Sequence, residues 1–292
     1  MQDNNKILFV LNKGAGKDGG TDWQEIIKEY FSTREVKIDF FELPDKPSVP
    51  DLKAYIEKLD PLKVVAVGGD GTVTLVAGII GNSSRQLGIL PAGSANGMAK
   101  EVGIPEDPEE ACKVVAEGKI KCCDAILINE KDICIHISDL GLNAQLIKYF
   151  DEGKLRGKLG YMKVIIRTLW HRQKMKVIIQ TKDVEVRRKA FMVLLANASM
   201  YGFGTVVNPN SQLDDGLFEV VVIRKLSLQA LLKMMIKPGP FNPRQIEIFP
   251  STAVQMQTMR PVHFQVDGEY KGKISGLKAT VLKHYINIIL PV

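Results

Sequence analysis

The chain has 292 residues, 45% of them apolar and 25% charged, with a net charge of +6. Such proportions describe a globular protein with a sizeable core, in one large domain or two smaller ones. No apolar run approaches the roughly 18 residues a membrane-spanning helix needs, and the polar start MQDNNKILFV passes straight into a strand, so no signal peptide and a cytoplasmic location are expected. The mild positive charge suits anionic partners such as nucleotides or acidic lipids. Nucleic acid is not expected, because no nucleic-acid module or aromatic-rich basic stretch is present. Cys112, Cys122, Cys123 and Cys134 form no C-x-x-C pair and read as reduced thiols. The four histidines show no metal-ligand spacing.

The first third alternates strands and helices. KILFVL is a strand, and TDWQEIIKEYF is a helix opened by Thr21 with Gln24 three residues on, a capping-box pattern. VKIDFFEL and PDLKAYIEKL repeat the pair. KVVAVGGDGTVTL then joins an unbroken apolar strand, Val64 to Val67, to a glycine turn and an apolar helix. A strand LGIL and helices within SANGMAKEV and DPEEACKVVAE follow. Unbroken apolar strands alternating with helices predict a mainly parallel sheet flanked by helices.

After about Ile120 strand-like runs dominate: CDAILIN, DICIHIS, MKVIIQT, AFMVLLANA, GLFEVVVI, QIEIF, VQMQTM, VHFQV, LKATVLK and YINIIL. Turn residues between them predict a β-sandwich or barrel. Helical patterns interrupt at Asn143 to Trp170 and Ser227 to Lys237. The boundary is placed near Lys121, giving a nucleotide-binding α/β domain over 1–121 and a lipid-binding β domain over 122–292, with the extreme C-terminus able to pack back on the first. A cleft between domains is a natural ligand site.

Three loops in the first part carry chemistry. In open α/β sheets ligands bind beyond the carboxyl ends of the strands, where glycine amides and helix N-termini meet phosphates. Gly69, Asp70, Gly71 and Thr72 form such a turn. Asp70, as an anion, is suited to holding a metal or accepting a proton rather than to binding phosphate. An ordinary Gly-Asp-Gly turn is the plain alternative. Asn12, Lys13, Gly14, Ala15 and Gly16 open a second glycine loop. Gly14, Gly16 and Gly19 match G-x-G-x-x-G, yet Gly19 and Gly20 both precede the helix cap, which disfavours a dinucleotide fold and leaves a phosphate loop or a flexible turn. In LGILPAGSANGMAKEV, Ser94 caps the next helix or bonds a phosphate oxygen. In the second part, LDDGLFEV and FQVDGEY each read first as a D-G hairpin turn.

The order GGDGT, PAGSxN, LDDGxFEV and VDGE, from about Lys6 to Tyr270, resembles the diacylglycerol kinase catalytic-domain family, which includes sphingosine kinases and bacterial lipid kinases. GGDGT alone is shared with NAD kinases. The resemblance implies a soluble ATP-dependent lipid kinase of phospholipid biosynthesis, with ATP on Asn12 to Gly16, on Gly69 to Thr72 and on Ser94. It implies Asp70 at the catalytic centre, Glu269 as acceptor of the lipid hydroxyl proton, and structural Mg²⁺ at Asp215 with carbonyls near Gln212 and Leu217. A lipid substrate at a membrane surface and peripheral membrane contact follow, and a homodimer is compatible. Departures occur: Lys13 and Ala15 stand where proline and serine are usual, Val73 to Leu75 lack a common glutamate, and LGLNAQ places Asn143 and Gln145 where carboxylates often occur. Without a carboxylate there for a sphingoid amine, a neutral hydroxyl lipid is the expected acceptor. An NAD kinase-like enzyme and a non-catalytic binding relative are the rivals. The stripe Leu155, Leu159, Met162, Ile166 and Leu169, with Arg156, Lys158, Lys163 and Arg167 beside it, reads as a packed amphipathic helix or a membrane-surface one.

Overall fold

The computed structural model describes residues 5–12, 21–44, 48–142, 144–145, 147–148, 174–201, 205–206, 211–225 and 245–292. The loop from Lys13 to Gly16, Asn143, the amphipathic stripe at 155–169 and the expected helix at Ser227 to Lys237 lie outside these residues. The chain divides into two compact units, Met1–Cys123 with Lys283–Val292, and Asp124–Leu282.

In the first unit strands β1 (Lys6–Asn12), β2 (Lys37–Leu43), β3 (Lys63–Gly68) and β4 (Gln86–Pro91) alternate with helices α1 (Trp23–Phe31), α2 (Val49–Leu59), α3 (Asp70–Ile80), α4 (Gly97–Glu101) and α5 (Pro108–Glu117). The strand order is β2-β1-β3-β4, all parallel. Strand β16 (Glu269–Leu290) ends beside β4, Asn287 pairing with Gln86 in parallel. Val64 to Val67 are fully buried, as the unbroken apolar run requires. Asp22, not Thr21, is the N-cap of α1: its carboxylate accepts the Glu25 amide at 3.1 Å, and an anion also suits the positive helix end.

The chain runs outward from β1 to β2 and then returns past β1 to form β3. The topological switch point therefore lies between the carboxyl ends of β1 and β3, where doubly wound sheets take their ligands. Asn12 ends β1 and Gly68 ends β3. The sequence folds so that Asn12 and the Gly69 turn lie at this one place.

The second unit is β-rich. It contains the end of β5 (Lys119–Ile128), then β6 (Asp132–Cys134), β7 (Ile137–Gly141), β8 (Met175–Thr181), β9 (Glu185–Ala190), β10 (Met192–Ala196), a short pair β11 (Met200–Tyr201) and β12 (Thr205–Val206), β13 (Phe218–Ile223), β14 (Ile246–Ser251), β15 (Ala253–Val266) and most of β16. The pairing path β14-β13-β10-β7-β15-β8-β9 is antiparallel throughout. Its two ends meet, because Arg188 on β9 donates to Glu247 on β14 at 2.7 Å. The sheet thus folds over on itself, which is the sandwich-like closure expected of so many short strands. Phe218, Phe264, Leu195, Val220 and Met256 are among its buried core. The runs VQMQTM and VHFQV belong to one strand, bent at a register shift between Gln257 and Val262. LKATVLK and YINIIL likewise fuse into β16.

Candidate functional site

The β3–α3 turn and the β4–α4 loop are built against each other. Ala92 donates its amide to the Gly68 carbonyl at 3.1 Å. A Cβ on Gly93 would come within 2.4 Å of the Gly69 Cα, so only glycine permits this backbone-to-backbone approach. Asn96 fixes the second loop from inside. In the left-handed conformation, it accepts the Gly93 amide at 3.0 Å and donates to the Gly93 and Pro91 carbonyls. Asn12 reaches the first turn from the end of β1, donating to the buried Thr72 hydroxyl at 3.4 Å. Helix α3 begins at Gly69 with no side-chain cap. Its N-terminal partial positive charge is therefore available to an anion.

Asp70 occupies the first turn of α3, and its carboxylate points to α4. One oxygen accepts the Gly97 amide and the other the Met98 amide, each at 2.9 Å. The helix cap expected of Ser94 is thus supplied by Asp70 from 27 residues away. Ser94 is exposed and has no hydrogen-bond partner among the described residues, which leaves its hydroxyl to a ligand. Gly71, half-buried, follows Asp70 in the same turn.

In the second unit VDGE is a two-residue hairpin turn between β15 and β16, with Val266 paired to Glu269. Asp267 (φ 44) and Gly268 (φ 86) both have positive φ, as a type I′ turn demands. Yet Asp267 is more than a turn residue. Its carboxylate is buried and accepts the amides of Ile135, His136 and Ile137 at 2.9 to 3.1 Å, and the Cys134 thiol at 3.1 Å. Burial, with the Asp267 charge beside it, raises that thiol's pKa well above the usual range. Gln265 accepts the Gly268 amide at 2.7 Å. The turn is therefore pinned on both sides, and Glu269 is held as the first residue out of it. Glu269 is exposed and accepts from the Lys271 ammonium at 2.9 Å; Asp132 pairs with the same ammonium at 3.6 Å. Partial burial pulls the Lys271 pKa down, but the two carboxylates outweigh it and leave it raised. Lys271 is a cation throughout the physiological range.

The turn holding Gln212, Asp215 and Leu217 is exposed at Gln212 and Asp215. Asp215 accepts the Leu217 amide at 2.9 Å within the turn. The turn is tied to the interior by buried Asp124, which accepts the Gly216 amide at 2.6 Å and donates its own amide to the Leu213 carbonyl. Asn197 donates to the carbonyls of Asp124 and Ile135, while its buried Oδ1 has no partner among the described residues. No group of three or more His, Cys, Asp or Glu gathers for a metal among the described residues. One carboxylate with carbonyl oxygens is a donor set that suits a hard cation keeping several waters, as Mg²⁺ does.

Sequence reasoning missed Asp124 and Asn197 because each acts through backbone partners distant in sequence, and Asn96 and Asp139 because each braces its own loop through bonds that no residue pattern announces. Asp139 carries the point furthest. It is fully buried, accepts the Ala144 amide at 3.0 Å and takes a hydrogen bond from Gln265, so the carboxylate nearest the LGLNAQ segment is already engaged.

Two family models cover the chain: the diacylglycerol kinase catalytic domain over residues 6–128, and the YegS C-terminal NAD kinase beta sandwich-like domain over residues 137–290. The chain belongs to the diacylglycerol kinase catalytic-domain family. Within that family of lipid kinases it carries the YegS-type second domain. It is 28% identical over 229 residues to the probable lipid kinase YegS of Escherichia coli O9:H4 (strain HS), covering 75% of this chain and 76% of that one. A solved diacylglycerol kinase of Bacillus anthracis str. Sterne has a TM-score of 0.73 at 17% identity, covering 98% and 97% of the two chains. An Archaeoglobus fulgidus NAD kinase solved with ATP has a TM-score of 0.55 at 15% identity, covering 97% and 93%. The two structures establish the fold. No helix among the described residues is long and apolar enough to cross a membrane.

Proposed function

We propose that the protein is an ATP- and Mg²⁺-dependent lipid kinase that transfers the γ-phosphoryl group to the hydroxyl of a neutral, diacylglycerol-like lipid. The observation that carries this reading is the backbone apposition of Gly69 and Gly93 beside the switch point. Amides of the two loops, the uncapped start of α3 and the free Ser94 hydroxyl form a donor surface for phosphates. Asn12 borders it, and Lys13, Gly14, Ala15 and Gly16 are proposed as further contacts to ATP. Gly71 and Thr72 keep the first turn compact. Bound Mg²⁺ supplies charge compensation on the phosphates.

Asp70 acts by position: its two oxygens lock α4 to the glycine turn and so set the phosphate donors. Glu269 accepts the proton of the attacking hydroxyl as a general base. Asp267 holds the turn that presents it, and Lys271 keeps the carboxylate directed. Gln212, Asp215 and Leu217 would hold a structural Mg²⁺ on a turn braced by Asp124. A neutral acceptor is favoured because buried Asp139 is engaged and the described Gln145 is uncharged, which leaves no carboxylate there for a lipid amine. The protein works at the membrane surface by peripheral contact.

Incubation with labelled ATP and Mg²⁺, supplying either NAD or a lipid extract, tests the reading. Label in a phospholipid without a free amine is expected. Label in NADP and none in lipid contradicts it in favour of an NAD kinase. Nucleotide binding without turnover on any acceptor contradicts it in favour of a non-catalytic relative.

A further inference from the structure

Strands β8 and β9 show one face to the core and the other to solvent. Met175, Val177 and Ile179 are buried, while Lys176 and Gln180 are exposed and Ile178 is half-buried between them. The register places Lys176 opposite Lys189 and Ile178 opposite Arg187 on β9. On the other side Ile178 pairs with Gln257, and Gln255 stands between Gln180 and Lys278. Met259 comes directly after the last β15–β8 pair, Thr258 with Val177, at the register shift that bends β15, and it is 73% exposed.

This outer face therefore collects Lys176, Arg187, Lys189 and Lys278 around two apolar side chains, with Glu185 the one carboxylate that the register adds to it. Lys176, Arg187 and Lys189 have no ion-pair partner among the described residues. Arg188, pointing the other way, is neutralised by Glu247. Lysines on an edge strand discourage strand-to-strand aggregation. That purpose does not account for Lys176, which lies on an inner strand, or for an exposed methionine beside it. Among the described residues the face has no aromatic side chain on which a base could stack, which disfavours single-stranded nucleic acid. Cations without an ion-pair partner among the described residues, set around exposed Met259 and half-buried Ile178, match an anionic lipid surface.

We infer that the outer β8–β9–β15 face, centred on Lys176, Arg187, Lys189 and Met259, docks the protein on anionic phospholipid membranes. The choice of a membrane as occupant rests on the lipid-kinase reading; the placement of the charges does not. Docking of this kind falls steeply with salt.

The test is co-sedimentation with phosphatidylcholine vesicles, with and without phosphatidylglycerol. Wild-type protein is expected to sediment only with the anionic vesicles. Lys176→Glu/Arg187→Glu/Lys189→Glu should weaken that binding about a hundredfold, at roughly fivefold per cation. Met259→Asp, a single exposed change that leaves the fold intact, should weaken it severalfold. A charge-matched control on the first unit, Lys58→Glu/Lys113→Glu/Lys119→Glu, should bind within a few-fold of wild type. Phosphorylation of a short-chain diacylglycerol in detergent should be unchanged in the face variants. Equal binding by the face reversal, equal loss in the control, or no wild-type binding to anionic vesicles would overturn the inference. If the face reversal alone loses vesicle binding while wild-type protein phosphorylates no lipid, the docking face stands and the kinase reading fails.

Discussion

Asp70 looks from sequence like a metal or proton handler and proves to be a helix cap as well. Both its oxygens are committed to the Gly97 and Met98 amides. Asparagine offers one acceptor oxygen and would turn its own N–H₂ toward the second amide. Asp70→Asn is therefore expected to abolish transfer and also to cost about 1–3 kcal/mol of stability, the price of a buried donor left unmatched. Denaturant unfolding followed beside the kinase assay checks both; loss of activity at wild-type stability would assign Asp70 to chemistry alone. Gly93→Ala tests the apposed loops. Its Cβ must displace the Gly69 backbone, so calorimetry should show ATP binding weakened at least about tenfold, since small misplacements in a phosphate cradle are costly. The glycines of these turns were legible in the sequence, because short side chains between a buried strand and a helix have few other uses. The Asp70–α4 bond was not, since nothing local reports a cap that arrives from another loop.

At the scale of elements, the apolar runs of β1, β3 and β4 gave their strands directly, since inner parallel strands are buried on both faces, while edge strand β2 is only half-buried. In the second unit the runs appeared as separate strands where β15 and β16 are continuous. Bends and bulges interrupt the alternation there without ending the pairing. Closure of the sheet was hidden for a related reason: it shows where Arg188 of β9 meets Glu247 of β14, which also holds Arg224 after β13, residues that read singly as surface charges. Partial burial pushes the Glu247 pKa up, but hydrogen bonds and charge from the two arginines bring it below the usual value. A carboxylate with a lowered folded pKa contributes stability above its unfolded pKa, about 4.3, and loses it as pH falls through the folded value. Glu247→Gln should destabilise by about 0.5–1 kcal/mol at neutral pH, a modest figure because the arginines are partly exposed. The difference should vanish in acid. Paired urea titrations at neutral and acidic pH measure it, and a pH-independent difference would contradict the ion-pair account.

At the scale of the molecule, the chain leaves the first unit after Cys123 and returns for its last ten residues. Ile286, Ile288 and Ile289 of that return are buried, and Asn82 donates its amide to the Tyr285 carbonyl at 2.7 Å. Ile288→Ala should cost about 2–5 kcal/mol. Hydrogen exchange should report the loss in β3 and β4 before it reaches β10 and β13. Loss confined to the second unit would contradict the assignment of this strand.

The two units divide the proposed chemistry, with phosphate donors in the first and Glu269 in the second. The most direct test is single-turnover transfer of labelled γ-phosphate from ATP to diacylglycerol by wild-type protein and by Glu269→Gln. The account predicts labelled phosphatidic acid from the wild type. It predicts a loss of about 10²–10⁴-fold in the variant, the usual worth of a general base, with ATP affinity unchanged. Equal transfer by the variant would contradict the role of Glu269, and absence of transfer by the wild type to any lipid would contradict the function itself.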